Sequence, residues 1–164
     1  MDGAENGPVW VVEMSVEAGR LLGLVEPLVL PAALIEGQRG GADFLLLDGA
    51  ALPAGPFGPL ETEFQAEGSN GPAIFSAYSF SRYMPGAWPV GMDGSGGFYC
   101  LDLRGVATGS GPNDGTAPLV WVHAGNLGWE SDCWVLVAAD SDAFFRTAVV
   151  ARSCYLPWNA VHPD

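Results

Sequence analysis

The chain has no lysine, and its six basic residues are all arginine against nineteen acids, a formal net charge of −13. With so little positive charge it has nothing to neutralise a phosphate track, which argues against duplex or single-stranded nucleic acid as a ligand. Histidine is also scarce, limited to His123 and His162. No HExxH, paired CxxC or complete EF-hand loop occurs, so no metal site is expected. The three cysteines, Cys100, Cys133 and Cys154, are an odd set without ligand spacing, and reduced thiols in a cytoplasmic setting are the simplest expectation. Long hydrophobic runs are missing too. Leu28-Val29-Leu30 and Phe44-Leu45-Leu46-Leu47 fall far short of the roughly 20 residues that cross a bilayer, so no membrane association is expected. The opening Met1-Asp2-Gly3-Ala4-Glu5-Asn6 lacks the positive n-region and apolar core of a secretory signal. Neither a GxxxxGK[ST] phosphate loop nor a GxSxG elbow is present, and no cofactor is expected.

What the chain does have is glycine and proline, 23 and 13 of 164 residues, in a sequence that is 49% hydrophobic and only 15% charged. That composition describes a globular protein with many turns and short elements, and the length fits one domain over residues 1–164. The acidic balance permits a basic protein partner, while a solvated surface that keeps the protein a monomer or weak dimer is the commoner cause of such charge.

Periodicity predicts the elements. Val9 to Met14 is β-branched and aromatic enough for a strand, and Ser15 to Leu24 reads as a short helix capped by Ser15. Pro31 to Glu36 is a predicted helix opened by proline and stopped at Gly40-Gly41, with a buried strand at Phe44 to Leu47. Glu61 to Glu67 alternates cleanly, with Thr62, Phe64 and Ala66 on one face and Glu61, Glu63, Gln65 and Glu67 on the other, solvated one. Ile74 to Phe80 is a further predicted strand, and Tyr83 to Pro89 a break. Beyond it, Asp93-Gly94 and Gly96-Gly97 provide a tight turn into a strand with Phe98, Cys100 and Asp102 on one face and Tyr99, Leu101 and Leu103 on the other. Gly105 to Gly115 reads as a loop. Pro118 to His123 and Cys133 to Ala138 pair as an antiparallel hairpin beside the motif strand. Asp140 to Val150 is the clearest helix, capped by Asp140 or Ser141. The expected architecture is α+β, a mainly antiparallel sheet with helices on one face and at its ends.

Three consecutive pieces, Val90-Gly91-Met92-Asp93-Gly94-Ser95-Gly96-Gly97-Phe98-Tyr99-Cys100-Leu101-Asp102-Leu103, then Pro118-Leu119-Val120-Trp121-Val122-His123, then Val137-Ala138-Ala139-Asp140-Ser141-Asp142-Ala143-Phe144-Phe145, occur in the order found in the SUKH superfamily. The chain resembles that family over residues 85–150. Its N-terminal half departs from the family pattern: Leu30-Pro31 is followed by Leu34 and Gly40-Gly41, where an aromatic and an Asn-Gly-Gly turn would be expected.

The resemblance implies a non-catalytic binding module. Bacterial members of the family are mostly immunity proteins that neutralise toxins, and relatives include a fungal cell-wall regulator. A basic toxin or effector domain is the expected partner, which the acidic chain would meet quickly through complementary charge. The candidate docking residues are the acids Glu61, Glu63 and Glu67, with Trp88, Asp93, Trp121 and His123 as an aromatic and polar centre. Against this, six Trp in a small domain also suit a core, and an acidic strand also serves as an aggregation-blocking edge. Two other readings remain open. One is a small cysteine-dependent hydrolase using Cys100 and His123, with Asp102 on the Cys100 face; the other is a regulatory or assembly adaptor on the same fold.

Overall fold

Apolar residues at Val11, Met14 and Ala18 recur at helical spacing, and they turn the N-terminal segment into one helix, α1 (Val9–Leu22), with all three side chains buried. The strand expected at Val9 to Met14 is therefore corrected, and Ser15 lies inside the helix rather than capping it. The β-branched run misleads because burial of one helical stripe outweighs local β-propensity. Gly23 ends α1 at φ +74°, its amide bonding Arg20 O at 3.3 Å and that of Leu24 bonding Gly19 O at 2.8 Å. This is the paired closure that a left-handed glycine permits.

The computed structural model describes residues 9–38 and 42–153. Gly40-Gly41, Cys154 and His162 lie outside them. After α1 come α2 (Ala32–Gly37), β1 (Phe44–Leu47), a small hairpin of β2 (Ala54–Gly55) and β3 (Gly58–Pro59), and β4 (Glu63–Ala66). Then follow α3 (Gly71–Ala77), α4 (Phe80–Tyr83), β5 (Ala87–Met92), β6 (Gly97–Asp102) and α5 (Arg104–Thr108). The chain continues through β7 (Leu119–His123), β8 (Trp134–Ala138), α6 (Ser141–Thr147) and β9 (Val149–Ser153). Seven strands form one antiparallel sheet in the order β8-β7-β6-β5-β4-β1-β9. The class is α+β, as the sequence predicts.

The β6, β7 and β8 pairings follow the sequence reading, with Tyr99 opposite Trp121 and Trp121 opposite Val135. So does the cap of α6, where the Asp140 carboxylate accepts from Ala143 N at 3.0 Å. That helix stops at Thr147, and Val149-Val150 instead begins β9, which bonds to β1. Asp142 serves two elements: it accepts from Ala33 N at 2.8 Å, capping α2 across the fold, and it pairs with Arg146.

Two further expectations are corrected. Ile74 to Phe80 is not a strand; Pro72 opens α3 there, and Ser79 at φ +56° turns the chain into α4. Its aromatic residues fill a cluster in which Phe75 lies 5.1 Å from Trp88 and Phe80 lies 5.5 Å from Phe98, ring to ring. The supposed break over Tyr83 to Pro89 yields to β5 from Ala87 onward. Pro89 fits this strand because the ladder shifts register between Pro89 and Gly91, and because β4 pairs only with Gly91 and Met92. The Gly105 to Gly115 loop also holds α5. Arg104, at its start, forks onto the Asp102 carboxylate at 3.0 and 2.9 Å while its guanidinium sits 3.6 Å above the Trp129 ring.

One continuous core runs from Val11 and Met14 through Leu45, Leu47 and Phe64 to Tyr99, Trp121 and Phe145. Phe64 is its centre, fully buried and 5.2 Å from Phe145 and 5.5 Å from Tyr99 by ring centroids. Gly91, opposite Tyr99, leaves the space that the Phe64 ring occupies.

Candidate functional site

The turn between β5 and β6 is built around one buried carboxylate. Asp93 Oδ1 accepts from Ser95 N at 2.8 Å, Ser95 Oγ at 3.0 Å and Gly97 N at 2.8 Å, while Oδ2 accepts from Trp121 Nε1 at 2.8 Å. Gly94 and Gly96 supply positive φ, +80° and +96°, so the chain can fold back around that side chain. Gly97 lacks a Cβ where one would fall between Asp93 Oδ2 and Trp121 Nε1. Burial, the largest single influence, pushes the Asp93 carboxyl up, but the hydrogen bonds from Ser95, Trp121 and Gly97 together hold it below the ordinary aspartate range.

Beside this turn the unbulged β6–β7 ladder puts Tyr99, Trp121 and His123 on one face. The Tyr99 hydroxyl donates to Glu61 O at 2.9 Å, tying the segment before β4 to the same place. Burial, then the charges of Asp93 and Glu61, push the Tyr99 phenol up, so both carboxylates act on one point. His123 Nδ1 accepts from Gly125 N at 3.0 Å, which leaves the proton of the neutral ring on Nε2, beside Gly96.

The β2–β3 hairpin overhangs these residues. Phe57 at its tip is 73% exposed, and its ring meets His123 edge-on at 6.0 Å between centroids. Between hairpin and sheet lies an open cleft of about 310 Å³, lined by Phe57, Glu61, Asp93, Ser95, Trp121 and His123 among others.

Four of the seven residues proposed from sequence, Glu61, Asp93, Trp121 and His123, thus meet in one cleft. Glu63 is exposed and has its carboxylate against Gly94 of the same turn, outside the cleft. Trp88 is corrected: it is 1% exposed, its ring packed on Phe75 and over Gly71, and it serves the core. Glu67 is corrected as well. It follows the last residue of β4 as the chain turns toward α3, and its side chain is buried rather than solvated. Nor is β4 an edge, since it lies between β1 and β5. Phe57 escaped the sequence reading; its signal was a lone aromatic inside a Gly-Pro-Phe-Gly-Pro turn.

Burial pushes the Glu67 carboxyl up. A carboxyl raised in the folded state opposes folding above its folded pKa, and the penalty vanishes below the unfolded value of about 4.3. Glu67→Gln is therefore expected to raise Tm at pH 7 and to leave it unchanged near pH 4, as thermal unfolding at the two pH values will show.

Cys100 and His123 are not brought together. Cys100 opposes Val120 and His123 opposes Gly97, three residues along the same strand, so their side chains point to opposite faces of the sheet. The Cys100 thiol is fully buried, and burial pushes its pKa up, away from thiolate chemistry. Asp102 is engaged by Arg104. Among the described residues no group of three or more His, Cys, Asp or Glu is placed to hold a metal ion, and no helix is long and apolar enough to cross a membrane.

Comparison of the chain with protein-family models, curated proteins and solved structures finds no match.

Proposed function

We propose that this chain is a non-catalytic protein-binding module of the immunity type, which neutralises a basic toxin or effector domain by docking it at the cleft between the β2–β3 hairpin and the Asp93 turn. One observation carries the reading: a largely exposed phenylalanine is held at the tip of a proline- and glycine-bounded hairpin over a cleft with an acidic and aromatic lining. An aromatic displayed in this way is a typical interface anchor, because it gains buried area on docking and its hairpin has little freedom left to lose. The formal charge of −13 favours a cationic partner and speeds its approach. The resemblance to the SUKH superfamily points to the same role.

The test is co-expression with candidate basic toxin domains. Wild-type chain is expected to co-purify with one such domain and to restore growth. Phe57→Ala and Glu61→Arg are each expected to weaken capture at least about tenfold. Cys100→Ala is expected to protect as well as wild type. The reading is overturned if both cleft variants retain full capture, or if Cys100→Ala stays folded and loses protection.

A further inference from the structure

The cleft has the chemistry of a guanidinium site. Glu61 supplies an exposed carboxylate at one wall, and the buried Asp93 carboxylate lies behind Trp121 and Ser95 at the other. The exposed Phe57 ring lies 6.0 Å from that of His123, centroid to centroid, and His123 in turn lies 6.5 Å from Trp121, which is itself buried at the cleft's floor. Among the described residues no arginine lines the cleft. A volume of about 310 Å³ leaves room for a long side chain entering from solvent.

Among cationic groups, a planar guanidinium suits this lining better than an ammonium. It can stack on the aromatic walls and still direct N–H groups sideways to a carboxylate. The chain itself shows the combination at a second place: Arg104 lies 3.6 Å over the Trp129 ring while its edge forks onto Asp102. In the cleft the aromatic and acidic halves of that arrangement are present without the arginine.

We propose that the cleft receives an arginine side chain of the docked partner, stacked on the exposed Phe57 ring with its edge on the Glu61 carboxylate, over a floor formed by the buried Trp121. Asp93 contributes its field, its oxygens being held by the turn and by Trp121. This assignment rests on the docking role given above and specifies the group that fills the cleft.

Titration of the chain with N-acetyl-arginine methylamide, followed through the Trp121 indole N–H and the Ser95 and Gly97 amides by NMR at physiological salt, tests it. Saturable shifts confined to the cleft are expected at millimolar ligand. N-acetyl-lysine methylamide is expected to bind about threefold or more weakly, and Glu61→Gln and Phe57→Ala each to weaken the arginine probe by a similar factor, in keeping with an exposed ion pair and a cation–π contact. Absent shifts, equal shifts with the lysine probe, or shifts that survive both variants would each overturn the arginine assignment. Partner capture that still depends on Phe57 and Glu61 in such a case would leave the docking role standing and remove only the arginine. Loss of that dependence would remove both.

Discussion

Asp93→Ala is expected to destabilise the fold by about 3–5 kcal/mol, because it leaves two buried donors, Gly97 N and Trp121 Nε1, facing no acceptor. Orphaned buried donors cost about 1–3 kcal/mol each, and hydrogen bonds to a charged acceptor stand at the upper end. Asp93→Asn separates charge from shape. One amide oxygen can still serve Ser95 and Gly97, but the NH2 group then confronts the Trp121 indole N–H, donor against donor, at an expected cost of about 2 kcal/mol. The opposite amide rotamer restores Trp121 and loses the turn. Urea unfolding at pH 7 measures both variants.

The sign of the pH dependence follows from the depressed Asp93 carboxyl. Its stabilisation is complete above the unfolded value of about 3.9 and is lost as pH falls through the lower folded value. The gap between wild type and Asp93→Asn should therefore be constant from pH 7 to pH 5 and close below about pH 4.

Gly91→Ala is expected to cost about 3 kcal/mol, although the residue is unrelated to the cleft lining. Its Cβ would fall on the Cζ and Cε2 atoms of Phe64, a ring already confined by Tyr99 and Phe145. The ring has no room to retreat, so the sheet must shift or the ring must leave its rotamer. In thermal unfolding this corresponds to a Tm lower by about 6–12 °C. A double-mutant cycle identifies the cause: in a Phe64→Leu background the added cost of Gly91→Ala should fall below half. An unchanged cost there would place the clash elsewhere.

The parts of the fold that could be read from the chain are those where local pattern and tertiary burial agree. The strands at Gly97 to Asp102 and Leu119 to His123 are legible because each is an apolar run flanked by strands on both sides in the sheet, and Asp140 caps its helix through bonds local to the sequence. Reading failed where the two conflict. Val9-Trp10-Val11-Val12 has the composition of a strand, yet its helical stripe at Val11, Met14 and Ala18 is buried in the core, with α3 beside it. Ile74 to Phe80 likewise carries strand residues, but Pro72 and the left-handed Ser79 bend it into two short helices.

The same logic sorts the site. Asp93 and Trp121 lie 28 positions apart, and only the β6–β7 register brings them together. Glu67 alternates in phase with Glu63 and yet is buried, because β4 ends at Ala66 and the chain turns inward toward α3. Phe57 sits in a proline- and glycine-rich connection, and what makes it important is its exposure, which periodicity does not encode.

Hydrogen exchange of the chain with and without its bound partner domain tests the central claim most directly, since it reads the docking surface without altering a residue. The account predicts that slowed exchange concentrates in the amides of residues 55–61 and 93–97, on the two walls of the cleft. Protection confined to other surfaces, with those two segments exchanging as fast as in the free chain, would contradict it.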